Sequence, residues 1–244
     1  CNLSCLHCGF SAGPTEQTEL SLDEVNNIIK KNKDVDEIVL TGGEPLIHKD
    51  FVSIAKSLDK YFLGKKTLMT NATLVDSGKA DLIAEVFDDV SISIDGATKK
   101  SCDQMRGRGV FKKVLNVVKQ LKERDITELS LSMTLTDLNR AEERNFIELC
   151  RKIGVEPIIR DLFITGRAKK NAVALNSNDD EPVNLSDLSR DDFLNECKKL
   201  KLNGKCKAGK NSIYVQYDGG IYPCPVAAVW ETYKIGDLSE IGGN

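Results

Sequence analysis

The feature that most constrains the fold of this chain is a regular alternation of strand-like and helix-like segments with no hairpin turn between them. Strands are predicted at 36–40, 65–70, 90–94, 128–134 and 156–163, of which 36–40 is a short apolar run and 90–94 a run of β-branched and small residues. Segments with helical spacing of apolar residues predict helices at 21–32, 50–61, 76–87, 111–124 and 141–153. Strands joined through helices run parallel, so the sequence predicts an α/β fold of βαβ units.

Polar or glycine-rich residues follow the predicted strands, with TGGE, TNAT, SIDG and SMTLT at successive strand ends. In a barrel of parallel strands, these ends meet at one mouth, where active sites are built. The chain starts without an initiator Met and reads as a fragment of a longer protein. We therefore predict a partial (β/α)6 barrel of TIM type over residues 1–168, with its first strand upstream of Cys1.

Three thiols lie within the first eight residues, at Cys1, Cys5 and Cys8. The chain has eight cysteines, two histidines and no signal peptide, which favours metal ligation over a disulfide framework and argues against a His-based hydrolase. Three thiolates can hold three corners of a [4Fe–4S] cluster and leave one iron open. On spacing alone, a zinc site completed by His7, or structural cysteines, explains the pattern equally well.

A second motif, Thr41-Gly42-Gly43-Glu44-Pro45, follows the first predicted strand. Glycines allow close approach of the backbone, and proline removes a donor and stiffens the exit. Alone, the motif indicates a turn. One βα unit after a Cys-x3-Cys-x2-Cys loop, it completes a specific pair of motifs, which favours the cluster over a zinc site.

The combined motifs resemble the radical S-adenosylmethionine (SAM) superfamily. The matching stretches are CNLSCLHC at 1–8, GGEP at 42–45, TNAT at 70–73, SIDG at 93–96 and MRGRG at 105–109. The resemblance implies a [4Fe–4S] cluster whose open iron is chelated by the amino and carboxylate groups of SAM. It also implies reductive cleavage of SAM to methionine and a 5′-deoxyadenosyl radical, which abstracts hydrogen from a substrate.

The resemblance also assigns expected roles to residues of this chain. The metal ligands are expected at Cys1, Cys5 and Cys8. The cofactor-binding residues are expected to be Gly42, Gly43, Glu44 and Pro45 at the methionine amine, His7 near the adenine, and Ser93, Asp95 and Arg106 at the ribose or carboxylate. Ordinary turn and surface roles are the alternative for Ser93, Asp95 and Arg106. No catalytic side chain is predicted, because the cofactor carries the hard step. Ala72 stands where the family usually has glycine, so a positive φ is not expected there.

The pattern changes after Phe163. Residues 169–205 are predicted to form a linker with some helix, and 206–244 to begin a small second domain. Tyr217-Asp218-Gly219-Gly220 between alternating apolar residues predicts a β-hairpin. Cys206 and Cys224 flank this hairpin, and two buried cysteines are the plain interpretation. Their spacing resembles the start of a SPASM or twitch domain, which implies that they ligate an auxiliary [4Fe–4S] cluster.

Three further features carry weaker expectations. Phe163–Ala168 resembles the end of the barrel in SPASM-type maturases and is expected to border SAM or substrate, or to form a turn into a helix. Cys102 and Cys150 are expected to be small buried apolar residues.

Charge and hydropathy limit the partners. The formal net charge is −3, without a basic footprint for nucleic acid, and no apolar run reaches membrane-spanning length. We expect a cytoplasmic enzyme without nucleic-acid or membrane partners, reduced by a donor such as flavodoxin or ferredoxin.

The resemblance implies a ribosomally made precursor peptide as substrate, crosslinked through a thioether or carbon–carbon bond. Modification of a protein residue or of a haem or quinone precursor is the alternative. A non-catalytic metal-binding or electron-transfer protein is the alternative of a different class.

Overall fold

The computed structural model describes residues 1–15, 19–175, 208, 211–229 and 233–241. The chain divides into two compact units, Cys1–Ser177 and Asn178–Asn244. Cys206 and most of the predicted linker lie outside the described residues. The exact domain bounds of the sequence analysis stay a prediction.

The first unit is built on a five-stranded parallel sheet whose spatial order follows the chain order. Its strands are β1 (Glu37–Leu40), β2 (Lys65–Thr70), β3 (Asp89–Ser93), β4 (Glu128–Thr134) and β5 (Glu156–Arg160). The predicted α/β class and all five strand positions are confirmed. β5 ends at Arg160 rather than at 163, because its neighbour β4 ends at Thr134, which pairs in register with Arg160.

The helices between these strands are α1 (Leu22–Lys31), α2 (Phe51–Tyr61), α3 (Ser77–Val86), α5 (Val110–Lys122) and α6 (Glu143–Ile153). A capping box forms at the start of α1, where Ser21 accepts from the Glu24 amide and Glu24 accepts from the Ser21 amide. Each helix turns its apolar side toward the sheet. In α5 this side is Val110, Val114, Val117, Val118 and Leu121, all buried. Cys102 and Cys150 are fully buried in the same core, as predicted.

The helix α4 (Lys99–Arg106) was not predicted. Only Cys102 and Met105 among its side chains are both apolar and buried, so it lacks a long apolar stripe. Its start is nevertheless encoded locally, because the Thr98 hydroxyl accepts from the Ser101 amide. This helix matters for the site, since it ends at Arg106.

Two short helices close the first unit, α7 (Gly166–Lys170) and α8 (Ala172–Leu175). Ala168 and Leu175 are buried and form a small apolar cluster with Met105. The segment Phe163–Ala168 therefore turns into a helix, one of the two expectations for it.

The second unit contains the predicted hairpin, with β6 (Tyr214–Val215) antiparallel to β7 (Gly220–Tyr222). A third strand, β8 (Gly236–Asp237), pairs with β7 and leads into α9 (Leu238–Ile241). At two residues, β8 is too short to show an alternating pattern, so the sequence did not indicate it. Within the part of the chain that the structure describes, no helix is long and apolar enough to cross a membrane.

Candidate functional site

The C-terminal ends of the parallel strands surround a cavity of about 200 Å³ in the first unit. Its walls come from the cysteine loop, the turn after β1 and the ends of β2 to β5. The lining residues include Cys1, Cys5, His7, Cys8, Gly42, Gly43, Glu44, Asn71, Ser91, Ser93, Arg106, Ser132 and Arg160. Most of the residues singled out in the sequence therefore meet at one mouth, as the barrel prediction requires. Pro45 and Asp95 lie behind the cavity wall and are fully or nearly fully buried.

The three thiols of the first loop all face this cavity. Cys5 is buried, and burial raises the pKa of its thiol although the Arg106 guanidinium acts in the opposite direction. Among the described residues, no three Cys, His, Asp or Glu side chains converge closely enough to share one metal ion. A zinc site needs its ligands about 2.0–2.3 Å from one ion, whereas a [4Fe–4S] cluster takes each thiolate on a different iron. The three thiols that line one cavity suit a cluster ligated in this way.

The Gly42-Gly43 turn lies directly against the cysteine loop. A Cβ on Gly43 would come 3.0 Å from the Cys1 Cβ and 3.2 Å from the Ala12 Cβ, closer than side-chain carbons normally approach. Glycine at this position therefore lets the turn after β1 pack against the first loop.

The buried Glu44 carboxylate holds the same turn in place by hydrogen bonds. Its Oε1 accepts from the Thr70 hydroxyl at 2.6 Å and the Leu46 amide at 3.2 Å, and its Oε2 accepts from the Asn71 amide at 2.7 Å. Burial raises the pKa of this carboxyl, and the three donors reduce that effect. The carboxyl has about four acceptor positions in its ionised form, so one remains after these bonds.

The turn after β2 corrects one expectation. Ala72 has φ of 58°, in the left-handed region, despite carrying a side chain. The surrounding bonds hold it there: its amide donates to the Thr70 hydroxyl at 2.9 Å, and the Val75 amide donates to its carbonyl at 3.2 Å. Alanine can adopt this conformation at a cost of about 1–2 kcal/mol. The prediction from residue type alone was wrong because it left these local bonds out.

Asp95, which lies behind the cavity wall, contacts two residues that line the cavity, His7 and Arg106. One Asp95 carboxylate oxygen lies 3.1 Å from the His7 Nε2 and 2.5 Å from the Arg106 Nε, and the other accepts from the Thr134 amide at 2.7 Å. Neither side-chain contact has hydrogen-bond angles, so Asp95 and Arg106 form an ion pair without an aligned bond, and His7 is a close polar neighbour. Burial lowers the pKa of His7, which leaves the imidazole neutral at neutral pH. Burial also opposes the charge of Arg106, but Asp95 and neighbouring thiols outweigh it and raise the pKa.

The predicted residue Ser93 belongs to a row of serines with an arginine at its edge, and the other members of this row were missed in the sequence. Ser91 pairs in register with Ser130, and Ser93 pairs with Ser132, on adjacent strands β3 and β4. Arg160, at the end of β5, donates through Nε to the Ser132 Oγ at 2.6 Å. For the serines the signal was available, because a polar residue on alternate positions of strands buried on both faces marks the inward side of a barrel.

The segment 165–171 binds the carbonyl groups of the cysteine loop and is called the loop clamp here. The Arg167 guanidinium donates to the carbonyls of Cys5, Ser11 and Ala12 at 2.8–3.0 Å. The Arg167 amide donates to the Cys8 carbonyl at 2.9 Å. The clamp is completed by Thr165, whose hydroxyl donates to the Gly9 carbonyl, and Asn171, whose amide side chain donates to the Leu6 carbonyl, both at 3.0 Å. The loop clamp therefore supports the loop rather than bordering the cavity.

In the second unit, Cys224 follows the hairpin and is half-buried, and its Sγ accepts from the Ala227 amide at 3.4 Å. Cys206 lies outside the described residues, so the pairing of these two thiols stays a prediction.

Comparison with known proteins gives a consistent result. The family model for the Radical SAM superfamily matches residues 1–150, more than half of the chain. The mycofactocin maturase MftC of Mycobacterium tuberculosis is 27% identical over 259 residues, covering 100% of this chain and 66% of that protein. The pre-heme d1 synthase of Dinoroseobacter shibae is 35% identical over 178 residues, covering 70% of this chain and 43% of that protein.

The crystal structure of Streptococcus suis SuiB bound to precursor peptide SuiA superposes with a TM-score of 0.73 at 17% identity, over 99% of this chain and 62% of that one. At this identity the likeness shows the fold. The chain spans 66% or less of the length of each of these three proteins.

Proposed function

The chain belongs to the Radical SAM superfamily, and from this premise we propose that it reductively cleaves SAM and uses the resulting 5′-deoxyadenosyl group to abstract hydrogen from a precursor peptide. The observation that carries the proposal is the convergence of Cys1, Cys5 and Cys8 with the glycine turn and Glu44 on one cavity. A metal-binding or electron-transfer module has no use for a polar cavity beside an incompletely ligated cluster.

The residues of the chain would hold the cofactors as follows. The three thiolates of the first loop bind three irons, and the loop clamp keeps their backbone in place. The Gly42-Gly43 turn and the remaining acceptor position of Glu44 receive the amino group of SAM. Ser93 and Arg106 supply donors for its ribose or carboxylate, and His7 borders the adenine. Asp95 acts on this site only indirectly, by fixing His7 and Arg106.

An auxiliary [4Fe–4S] cluster is proposed for the second unit, with Cys206 and Cys224 among its ligands. The support is the cysteine spacing around the hairpin and the similarity to MftC over the whole chain. Such a cluster would bind a substrate thiol or accept an electron after the radical step.

A ribosomally made precursor peptide is the proposed substrate, with a thioether or carbon–carbon bond as the product. The support is the similarity to a maturase and the fold shared with SuiB, whose structure contains a precursor peptide. The electron donor is proposed to be a flavodoxin or ferredoxin. We place the reaction in the cytoplasm, because an incompletely ligated cluster requires a reducing setting.

A second candidate function is the modification of a cofactor precursor. It is favoured by the 35% identity to a pre-heme d1 synthase, which exceeds the identity to MftC over a shorter stretch.

The test is production of 5′-deoxyadenosine by the full-length protein after anaerobic reconstitution, with SAM and dithionite. The matched control is the Cys1/Cys5/Cys8→Ala variant. Product from the intact protein and none from the control is the expected result. Iron-replete protein that forms no 5′-deoxyadenosine contradicts the proposal and supports the electron-transfer alternative. Candidate peptides and tetrapyrrole precursors, added in turn, then separate the two substrate classes by which one is consumed.

A further inference from the structure

One cation of the cavity has no acidic partner. Among the described residues, no carboxylate lies within ion-pair distance of Arg160, whose one side-chain bond is the contact of Nε with Ser132 Oγ at 2.6 Å. The other guanidinium of the cavity, Arg106, is paired with Asp95. The acidic group on the cavity wall, Glu44, is already bonded to three donors.

The orientation of Arg160 leaves its terminal nitrogens available. Ser132 is itself buried and holds the Nε side of the guanidinium. The two Nη groups then form the face of the fork that matches the two oxygens of a carboxylate. Arg160 is exposed to solvent overall, but burial of part of its side chain lowers its pKa, and the charge of a bound anion would offset this penalty.

The position of Arg160 suits the binding of a substrate group that enters the cavity from solvent, away from the cysteine loop. It ends β5, which pairs with β4 alone among the described strands, and so stands at the open edge of the sheet. Arg106, in contrast, approaches the cysteine loop, with Nη1 4.0 Å from the Cys5 Sγ. The two arginines therefore serve two different places in the cavity.

We propose that Arg160, oriented by Ser132, forms a carboxylate-binding subsite at the rim of the cavity. Two sources can supply this chemistry, a substrate carboxylate and the carboxylate of SAM. The edge position favours the substrate, and the subsite would then select substrates that place an acidic side chain or a free C-terminus beside the reacting carbon. This deepens the proposed function and rests on it.

The experiment measures binding to the full-length protein with its cluster oxidised, so no turnover is needed. One arm measures the dissociation constant of SAM. The other, at saturating SAM, compares acetyl-trialanine carrying a free carboxylate with the same tripeptide as its amide. Both arms use the wild type, Arg160→Gln, Ser132→Ala and the control Arg144→Gln, which removes the same charge from the exposed side of α6.

We expect the wild type to prefer the free carboxylate by about tenfold or more, the size of a charge-assisted bond, and Arg160→Gln to lose this preference. Ser132→Ala should lose part of it, and SAM binding should stay unchanged. A tenfold loss of SAM affinity in Arg160→Gln alone supports the subsite and assigns it to the SAM carboxylate. The proposal is overturned if Arg160→Gln changes neither arm, or if Arg144→Gln changes them equally. Because binding is measured without reduction, these results are separate from whether 5′-deoxyadenosine forms.

Discussion

Replacing Gly166 with alanine should dislodge the cysteine loop while leaving the barrel folded. Gly166 is the second residue of the loop clamp and has φ of 53°, which L-residues adopt at a cost of about 1–2 kcal/mol. An added Cβ would also overlap the Gly9 carbonyl, lying 2.6 Å from its carbon and 2.9 Å from the Ser11 nitrogen. These are backbone atoms of the loop, so the loop or the clamp must move.

The free-energy cost of Gly166→Ala has two parts, backbone strain and steric overlap. The backbone strain is shared by any alanine in this conformation. The overlap adds about 1–3 kcal/mol, the usual cost of overpacking, and falls on the contact between the loop and the clamp. Since 1.4 kcal/mol is a factor of ten, the population with the loop in place should fall about five- to 150-fold.

The matched control is Gly154→Ala. Gly154 follows α6 with φ of 69°, so it carries similar strain, but its added Cβ would meet the far end of the Lys122 side chain and no backbone atom within 4 Å. Both variants are reconstituted anaerobically, and the rate of iron release to a chelator is followed by absorbance. Thermal unfolding of the apoproteins reports the strain that the two variants share.

We expect Gly166→Ala to release iron at least five times faster than Gly154→Ala, with unfolding midpoints of the apoproteins close to each other. Equal rates of iron release would show that the clamp does not hold the loop. A large loss of unfolding midpoint in Gly166→Ala alone would show that the overlap acts on the whole barrel instead.

The other predictions use the same protein and simple assays. Arg167→Gln removes three donors from loop carbonyls, and we expect about tenfold faster iron release with little change in apoprotein unfolding. Asp95→Asn leaves the buried Arg106 charge without its partner, and should lower the free energy of unfolding in urea by about 3–5 kcal/mol, whereas Asp59→Asn on the exposed side of α2 should change it by less than about 0.5 kcal/mol. Burial raises the pKa of Cys102 to about 12 and of Cys150 to about 11, so iodoacetamide at pH 8 should label neither thiol in the folded apoprotein and both in urea, as read by mass spectrometry. Labelling of either in the folded state would contradict its buried position.

The sequence predicted the parallel sheet well because each strand is short, is followed by a polar turn and alternates with a helix. It also predicted which thiols and which turn share a mouth, since strand ends of a parallel barrel converge. Both predictions follow from the periodicity of apolar residues and from the order of strands and helices, and a single sequence is enough to show these.

The parts that were missed depend on contacts between distant residues. Helix α4 is too polar to show an apolar stripe, and Ala72 takes a positive φ only because Thr70 and Val75 bond around it. The role of Arg167 in the loop clamp could not be predicted from its sequence neighbours either, because its acceptors lie 155–162 positions away along the chain. Arg160 was passed over since nothing in the local pattern separates it from a surface arginine.

The loop clamp also has a consequence for how the protein is made. Its side-chain bonds to the cysteine loop span 155–165 positions along the chain. At a synthesis rate of about 5–20 residues per second, the loop leaves the ribosome roughly 8–30 s before its supports exist. The nascent chain therefore presents three thiols with no structure to hold them. Iron–sulfur insertion has to wait for the whole barrel, and any factor that guards those thiols must act during translation.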